Sequence, residues 1–353
     1  MDQAIDWEFA ARVAQRAAGI EPLAQSYLYD SLHDDFASAT VLAEELVAAE
    51  TGLRSLDGPA RARVIGRSEW IDANIKSFRR LLRPLTDKLT EKTEGGPMAT
   101  ISSKVAAVEL GSVLGWMSRR VLGQYDLLLA EDEDPHDQDL VYYVGPNVLA
   151  IEKRYAFVPE EFRLWLATHE LTHRAQFTGV PWMREHFIGL VERTLDNVDP
   201  DPDRIMSGLK RLFDERRRGE TTALDSGLAL LFASDEQRQV LDEVSGLMSL
   251  LEGHGDTTMN RAARDHVPSV DRFAKVMQQR RSQSKGLARI MQKLIGIDAK
   301  LAQYEQGERF IEHIEAERGD RAVDVIWSDV SLLPSMDEIK EPSQWLLRVP
   351  TQT

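Results

Sequence analysis

The chain has 353 residues, of which 42% are hydrophobic and 29% charged, with a net charge of −15 and no cysteine. These proportions are ordinary for a soluble globular protein of one to three domains, and the acidity speaks against nucleic acid or an anionic membrane surface as a general partner. The lack of cysteine excludes disulfides, thiolate metal sites and cysteine nucleophiles, and no apolar run reaches the roughly 18 residues of a membrane span.

The start, Met1-Asp2-Gln3-Ala4-Ile5-Asp6-Trp7, lacks the basic-then-apolar pattern of a secretory signal, so a cytoplasmic location is expected. Residues 5–20 and 36–52 carry helical spacing of small apolar side chains, broken by Pro22, Asp30 and Asp34. Residues 60–92 read as one long helix bent near Pro84, Gly95-Gly96-Pro97 as a loop, and 100–122 as a further helix ended by Gly123-Gln124-Tyr125-Asp126. Residues 1–122 are thus expected to form a helical region packed on a catalytic region, 123–353, within one compact unit. The acidic run from Glu131 to Asp137 lacks the alternation and glycine of a calcium loop.

The clearest strand signal is Asp139-Leu140-Val141-Tyr142-Tyr143-Val144, followed by Gly145-Pro146-Asn147 and Val148-Leu149-Ala150-Ile151-Glu152. It predicts a β-hairpin directly before a helix that starts near Pro159. Residues 183–196 and 236–264 are helical, 197–221 polar and peripheral, 275–293 basic, and 298–317 helical again. The tail around Pro334, Pro342 and Trp345 reads as ordered but irregular. The expected fold is mainly α, with a small β-hairpin or sheet beside the helix that begins at Pro159.

That helix carries His169-Glu170-Leu171-Thr172-His173. The four-residue step puts both imidazoles on one face, one turn apart, where they can share a metal ion. Glu170, next to the first histidine, is placed to take a proton from a water held by that ion. The pair falls on or beside the apolar stripe of Phe162, Trp165, Leu166 and Phe177, where two imidazoles call for a partner.

A catalytic zinc takes three protein ligands and water. The longer motif that adds a third histidine would need Gly at 176 and His at 179, where this chain has Gln176 and Gly179. Glu252 is the favoured third ligand, because it lies on a mostly apolar helix with Asp256 one turn on, able to accept the outer N–H of a ligating histidine. His254 and Glu243 remain open alternatives. The predicted chemistry is hydrolysis of a peptide or amide by a zinc-held water, with Glu170 as general base. Oxyanion or substrate contacts could come from His254, Tyr304, Tyr142 or Tyr143. Arg280 and Arg281 could bind an anionic substrate group, and the hairpin could pair with an extended peptide.

Several ordered blocks resemble a family of zincin-like metallohydrolases, largely actinobacterial and linked by gene neighbourhood to deazaflavin-coenzyme biosynthesis. They are Val121–Asp126, Gly145–Val148, Phe162–Phe177, Val180–Trp182, Met248–Asp256, Lys300–Phe310 and the Trp345 tail. The resemblance implies a mainly helical zincin-like fold with a metal on His169 and His173, and no particular substrate. The competing reading is a non-catalytic binding or regulatory protein on the same scaffold. Nothing in the sequence determines the oligomeric state.

Overall fold

The computed structural model describes residues 4–21, 23–83, 85–87, 97–127, 139–196, 235–283 and 303–350. The described elements are, in order, α1 (Trp7–Ala18), α2 (Tyr27–Thr51), β1 (Arg61–Ile65), α3 (Arg67–Leu81), α4 (Pro97–Ser118), β2 (Gly123–Tyr125), β3 (Leu140–Val144), α5 (Gly145–Tyr155), α6 (Pro159–Gly179) and α7 (Met183–Asp196). They continue with α8 (Asp235–Ala262), α9 (Val270–Gln283), α10 (Gln303–Arg318), two 3-10 turns (Ala322–Ser328 and Val330–Leu332), α11 (Met336–Lys340) and α12 (Pro342–Arg348). The fold is mainly helical with one small sheet. No helix among the described residues is long and apolar enough to cross a membrane.

The sheet has the order β1-β3-β2. β1 runs parallel to the central β3, with Ile65 opposite Val144, and β2 runs antiparallel to it, with Gly123 opposite Tyr143. All five residues of β3 are buried, as befits a central strand.

The expected hairpin is not there. β3 is followed by a helix, because Pro146 sits at the start of α5. A proline there needs no N–H partner and its fixed φ suits the first turn. Val148, Leu149 and Ile151 are buried on that helix, and a short apolar run does not by itself distinguish strand from helix. The long helix expected over 60–92 is also corrected. Arg61–Ile65 is a strand whose partner lies far along the chain, and the helix begins only at Arg67, where the Glu69 carboxylate accepts the Gly66 N–H at 2.7 Å. Gly123–Tyr125, expected as a helix end, is the edge strand β2. The tail contains α11, started by a Ser335–Glu338 capping box, and α12, started by Pro342. Residues 131–137, 197–221 and 284–293 of the sequence reading lie outside the described residues.

Three apolar clusters hold the molecule together. One joins α2, the sheet, α5 and α6 to the end of α8 and to α9. A second joins α7, the middle of α8, α10 and the tail. A third lies under α1, α3 and α4 on the other face of the sheet, where Leu140, Tyr142 and Val144 point. α6 therefore lies between the sheet and α8.

Two buried arginines fix α6 along its length. Near its start Arg163 donates to both Glu152 oxygens, at 2.9 and 3.0 Å, and also bonds Asp35. Near its end Arg174, 1% exposed, donates to Asp139, Glu44 and the Gly58 carbonyl. Buried guanidiniums are tolerable because each is surrounded by acceptors. The other wall of the site is set by α8 and α10. A Cβ on Gly307 would lie 1.9 Å from the Ser249 carbonyl oxygen, and one on Gly253 would lie 2.3 Å from Gly307 C. The two backbones touch, one residue from Glu252.

Candidate metal centre

α6 and α8 bring three potential metal-binding side chains together. The Nε2 atoms of His169 and His173 face each other at 3.2 Å, with the rings nearly perpendicular. Glu252 Oε2 lies 3.6 Å from His173 Nε2 and 3.9 Å from His169 Nε2. One ligand atom from each residue falls within 4.8 Å of the others. Nitrogens bonded to one tetrahedral zinc stand roughly 3.3 Å apart, given Zn–N bonds of about 2.0–2.1 Å. The spacing of the imidazoles therefore fits a shared ion, and two histidines with a carboxylate are a donor set that zinc accepts.

The electrostatics fit a cation as well. Burial pushes the His173 imidazole down, but the charge and hydrogen bond of Glu252, aided by Glu170 and Gln176, outweigh it and raise the group to about 9. Carboxylates that stabilise a proton at this point would stabilise a metal ion there too.

Gln176 selects which His173 nitrogen faces inward. Its Nε2 donates to the Leu251 carbonyl at 3.0 Å and to His254 Nδ1 at 2.9 Å. A carbonyl can only accept, so the amide is oriented with Oε1 towards His173 Nδ1, 2.9 Å away. Nδ1 of His173 carries the proton, and Nε2 is left as the ligating atom. On His169, Asp256 Oδ1 stands 3.7 Å from Nδ1, a charge contact longer than a hydrogen bond.

Glu170 is 6% exposed and lies under the edge strand. On either side of β2, the Leu122 carbonyl accepts from Val144 N–H and Asp126 N–H donates to the Leu140 carbonyl, so Gly123 and Tyr125 turn their backbone groups to the opposite edge. There the Tyr125 N–H bonds the Glu170 carboxylate. A Cβ on Gly123 would lie 2.5 Å from Glu170 Oε1 and 2.7 Å from its Cδ and Cγ. Burial lifts the carboxyl to about 7, with His173 and the Tyr125 N–H pulling it down and Glu252 pushing it up.

The other residues singled out in the sequence fall elsewhere. His254 is buried, with Nδ1 bonded to Gln176 and its ring edge-on to Trp327 at 4.8 Å. Burial, with the charges of His173 and Arg261, holds it down to about 3, so it is neutral. Glu243 pairs with Arg193, away from the histidines along α8. Tyr143 is a core residue, its hydroxyl 2.9 Å from Thr40 Oγ1 and its ring stacked on Phe36. Tyr142 faces the third cluster. The side chains of Tyr304 and Arg281 lie outside the described residues. Arg280 donates from Nη2 to the Arg120 carbonyl at 2.8 Å. Gln176 and Gly123 were not singled out. Gln176 stands three residues after His173, on the same face, and that spacing was the available signal.

A helix-borne histidine pair is thus met by a carboxylate from a later helix, beneath the edge of a small sheet, in an arrangement that could hold a metal ion. The chain belongs to the zincin-like metallopeptidase family, whose sequence profile matches residues 5–346. It is similar to a solved structure from Chloroflexus aurantiacus, described as a candidate hydrolase with a novel fold. The two share 33% identity over 99% of this chain and 100% of that one, with a TM-score of 0.75. No curated protein matches.

Proposed function

We propose that the protein is a zinc-dependent hydrolase acting on a peptide or other amide-containing substrate. His169, His173 and Glu252 would hold the ion, and Asp256 and Gln176 would orient the two imidazoles. The reading is carried by one observation: the facing Nε2 atoms at 3.2 Å with the Glu252 carboxylate against both. Zinc bound there would supply Lewis acidity, polarising a carbonyl and easing deprotonation of water.

The chain's own residues do the rest. Glu170 takes the proton of the attacking water on its carboxylate and returns it to the leaving amine. Its aim is set by the Tyr125 N–H and by the space left at Gly123. α6, anchored through Arg163 and Arg174, keeps Glu170 and the histidines in fixed relation.

The test is turnover of a peptide library by the parent and by Glu170→Gln. The variant should keep its metal and lose turnover by a factor of about 100 or more, as removal of a general base does. Equal turnover in the two proteins would remove Glu170 from the mechanism.

A further inference from the structure

α9 packs its first turn against the first half of α6. Near its start Phe273 packs on Phe162 and Trp165 of α6, with ring centroids 5.4 and 5.8 Å apart. Seven residues on, about 10 Å along the helix, Arg280 reaches the Arg120 carbonyl at 2.8 Å. Three residues after Arg120 comes Gly123, against the Glu170 carboxylate, so Arg120 stands within about 10 Å of Gly123. α9 thus runs from the first half of α6 towards the segment that leads into β2, and Arg280 touches that segment at Arg120.

The charge at this corner is unusual for a chain with a net charge of −15. Arg120 is held in place, its guanidinium 3.6 Å over the Trp116 ring and its Nη1 on the Trp116 carbonyl. Arg154 lies over Tyr155 at 5.3 Å and acts on Arg280 through its charge. Among the described residues none of the three is paired with a carboxylate, and the one hydrogen bond of Arg280 goes to a backbone oxygen. Burial, with the charges of Arg120 and Arg154, holds the Arg280 guanidinium below its usual range, against the opposing effect of Tyr155. A half-buried cation with like charges as neighbours costs stability, and an anion arriving there would offset the cost.

We propose that Arg280, with Arg120 and Arg154 beside it, forms a subsite for a carboxylate of the substrate near the start of β2. This rests on the hydrolase reading of the metal centre. A guanidinium presents a planar fork that matches a carboxylate's two oxygens. At about 3.3 Å per residue, a carboxylate bound here belongs within about four residues of the bond under attack. It is either the peptide's C-terminus or an acidic side chain.

Binding tests the subsite apart from catalysis. Fluorophore-labelled pentapeptide pools are titrated by anisotropy into the zinc-loaded full-length Glu170→Gln protein. One pool has a free C-terminus, one is amidated, and one is amidated with glutamate at the last position. The free-acid or glutamate pool should bind about tenfold tighter than the plain amide at low salt, in line with one charge-assisted bidentate contact. Whichever carboxylate pool gains identifies the source. Arg280→Gln should erase the preference, and Arg280→Lys should retain part of it. Arg272→Gln, on the same helix but bonded to the Tyr155 and Ala156 carbonyls, should leave it intact. If Arg280→Gln does not fold, the preference must instead fall severalfold in Arg154→Gln. Equal binding of acid and amide, no binding of any pool, or a preference that survives these substitutions overturns the subsite. Loss of turnover in every peptide with this preference intact would overturn the hydrolase reading and not the subsite.

Discussion

The space that a side chain would occupy on Gly123 is taken by the carboxylate of Glu170, whose Oε1 lies 2.5 Å from the position of the missing Cβ. The edge strand and the motif helix are therefore fitted to each other at the residue proposed to move the proton. Gly123→Ala should destabilise the protein by about 1–3 kcal/mol, the usual cost of overpacking. The loss should largely disappear in a Glu170→Ala background, because the overlapping atoms are gone. A double-mutant cycle read by chemical denaturation measures this coupling. An equal loss in both backgrounds would show that the strand does not bear on Glu170.

Gln176 connects His173, His254 and the Leu251 carbonyl across the α6–α8 interface. Gln176→Leu keeps the volume and removes all three hydrogen bonds, so metal affinity should fall by about 10–100-fold, as on losing an outer partner of a ligating histidine. Competition with a chromophoric chelator measures it. Gln176→Glu is the informative companion. Its second oxygen would face the Leu251 carbonyl and His254 Nδ1, so it should not restore the parent affinity.

The carboxyl of Glu338 tests the electrostatics far from the site. Burial pushes it up, but Arg348, the Ser335 hydroxyl and the Ser335 N–H outweigh that and hold it below the usual range. A depressed carboxyl contributes stability that is present above its unfolded value of about 4.3 and is lost as pH falls through its folded value. Glu338→Gln should therefore lower the melting temperature at pH 7, and the gap to the parent should close on acidification below pH ~4. A gap unchanged at low pH would mean that the charge on Glu338 contributes nothing.

Much of the site was legible in the sequence because helices are local. The step from His169 to His173, the apolar stripe around it and the start at Pro159 are all readable from neighbours in sequence, and the structure has that helix over Pro159–Gly179. Glu252 and Asp256 stood out as carboxylates one turn apart on an apolar helix, and the structure brings that turn to the histidines.

What was not legible depends on distant partners. β1 and β2 are short, and only their pairing with β3 makes them strands. Val148–Ile151 has the composition of a strand, and Pro146 turns it into a helix. Gly253 lies within α8, which continues unbroken through Ala262, and it serves the close approach of α10, which no neighbour in sequence announces. The functions of Gln176 and Gly123 are relationships between elements, and no local pattern contains them.

The proposed chemistry requires that the two histidines and Glu252 share a metal ion. Elemental analysis of the parent, purified without chelator, and of His173→Ala tests this most directly. About one zinc per chain is expected in the parent and next to none in the variant, with both proteins folded. Folded parent protein without any bound transition metal, or His173→Ala that keeps the full complement, would contradict it.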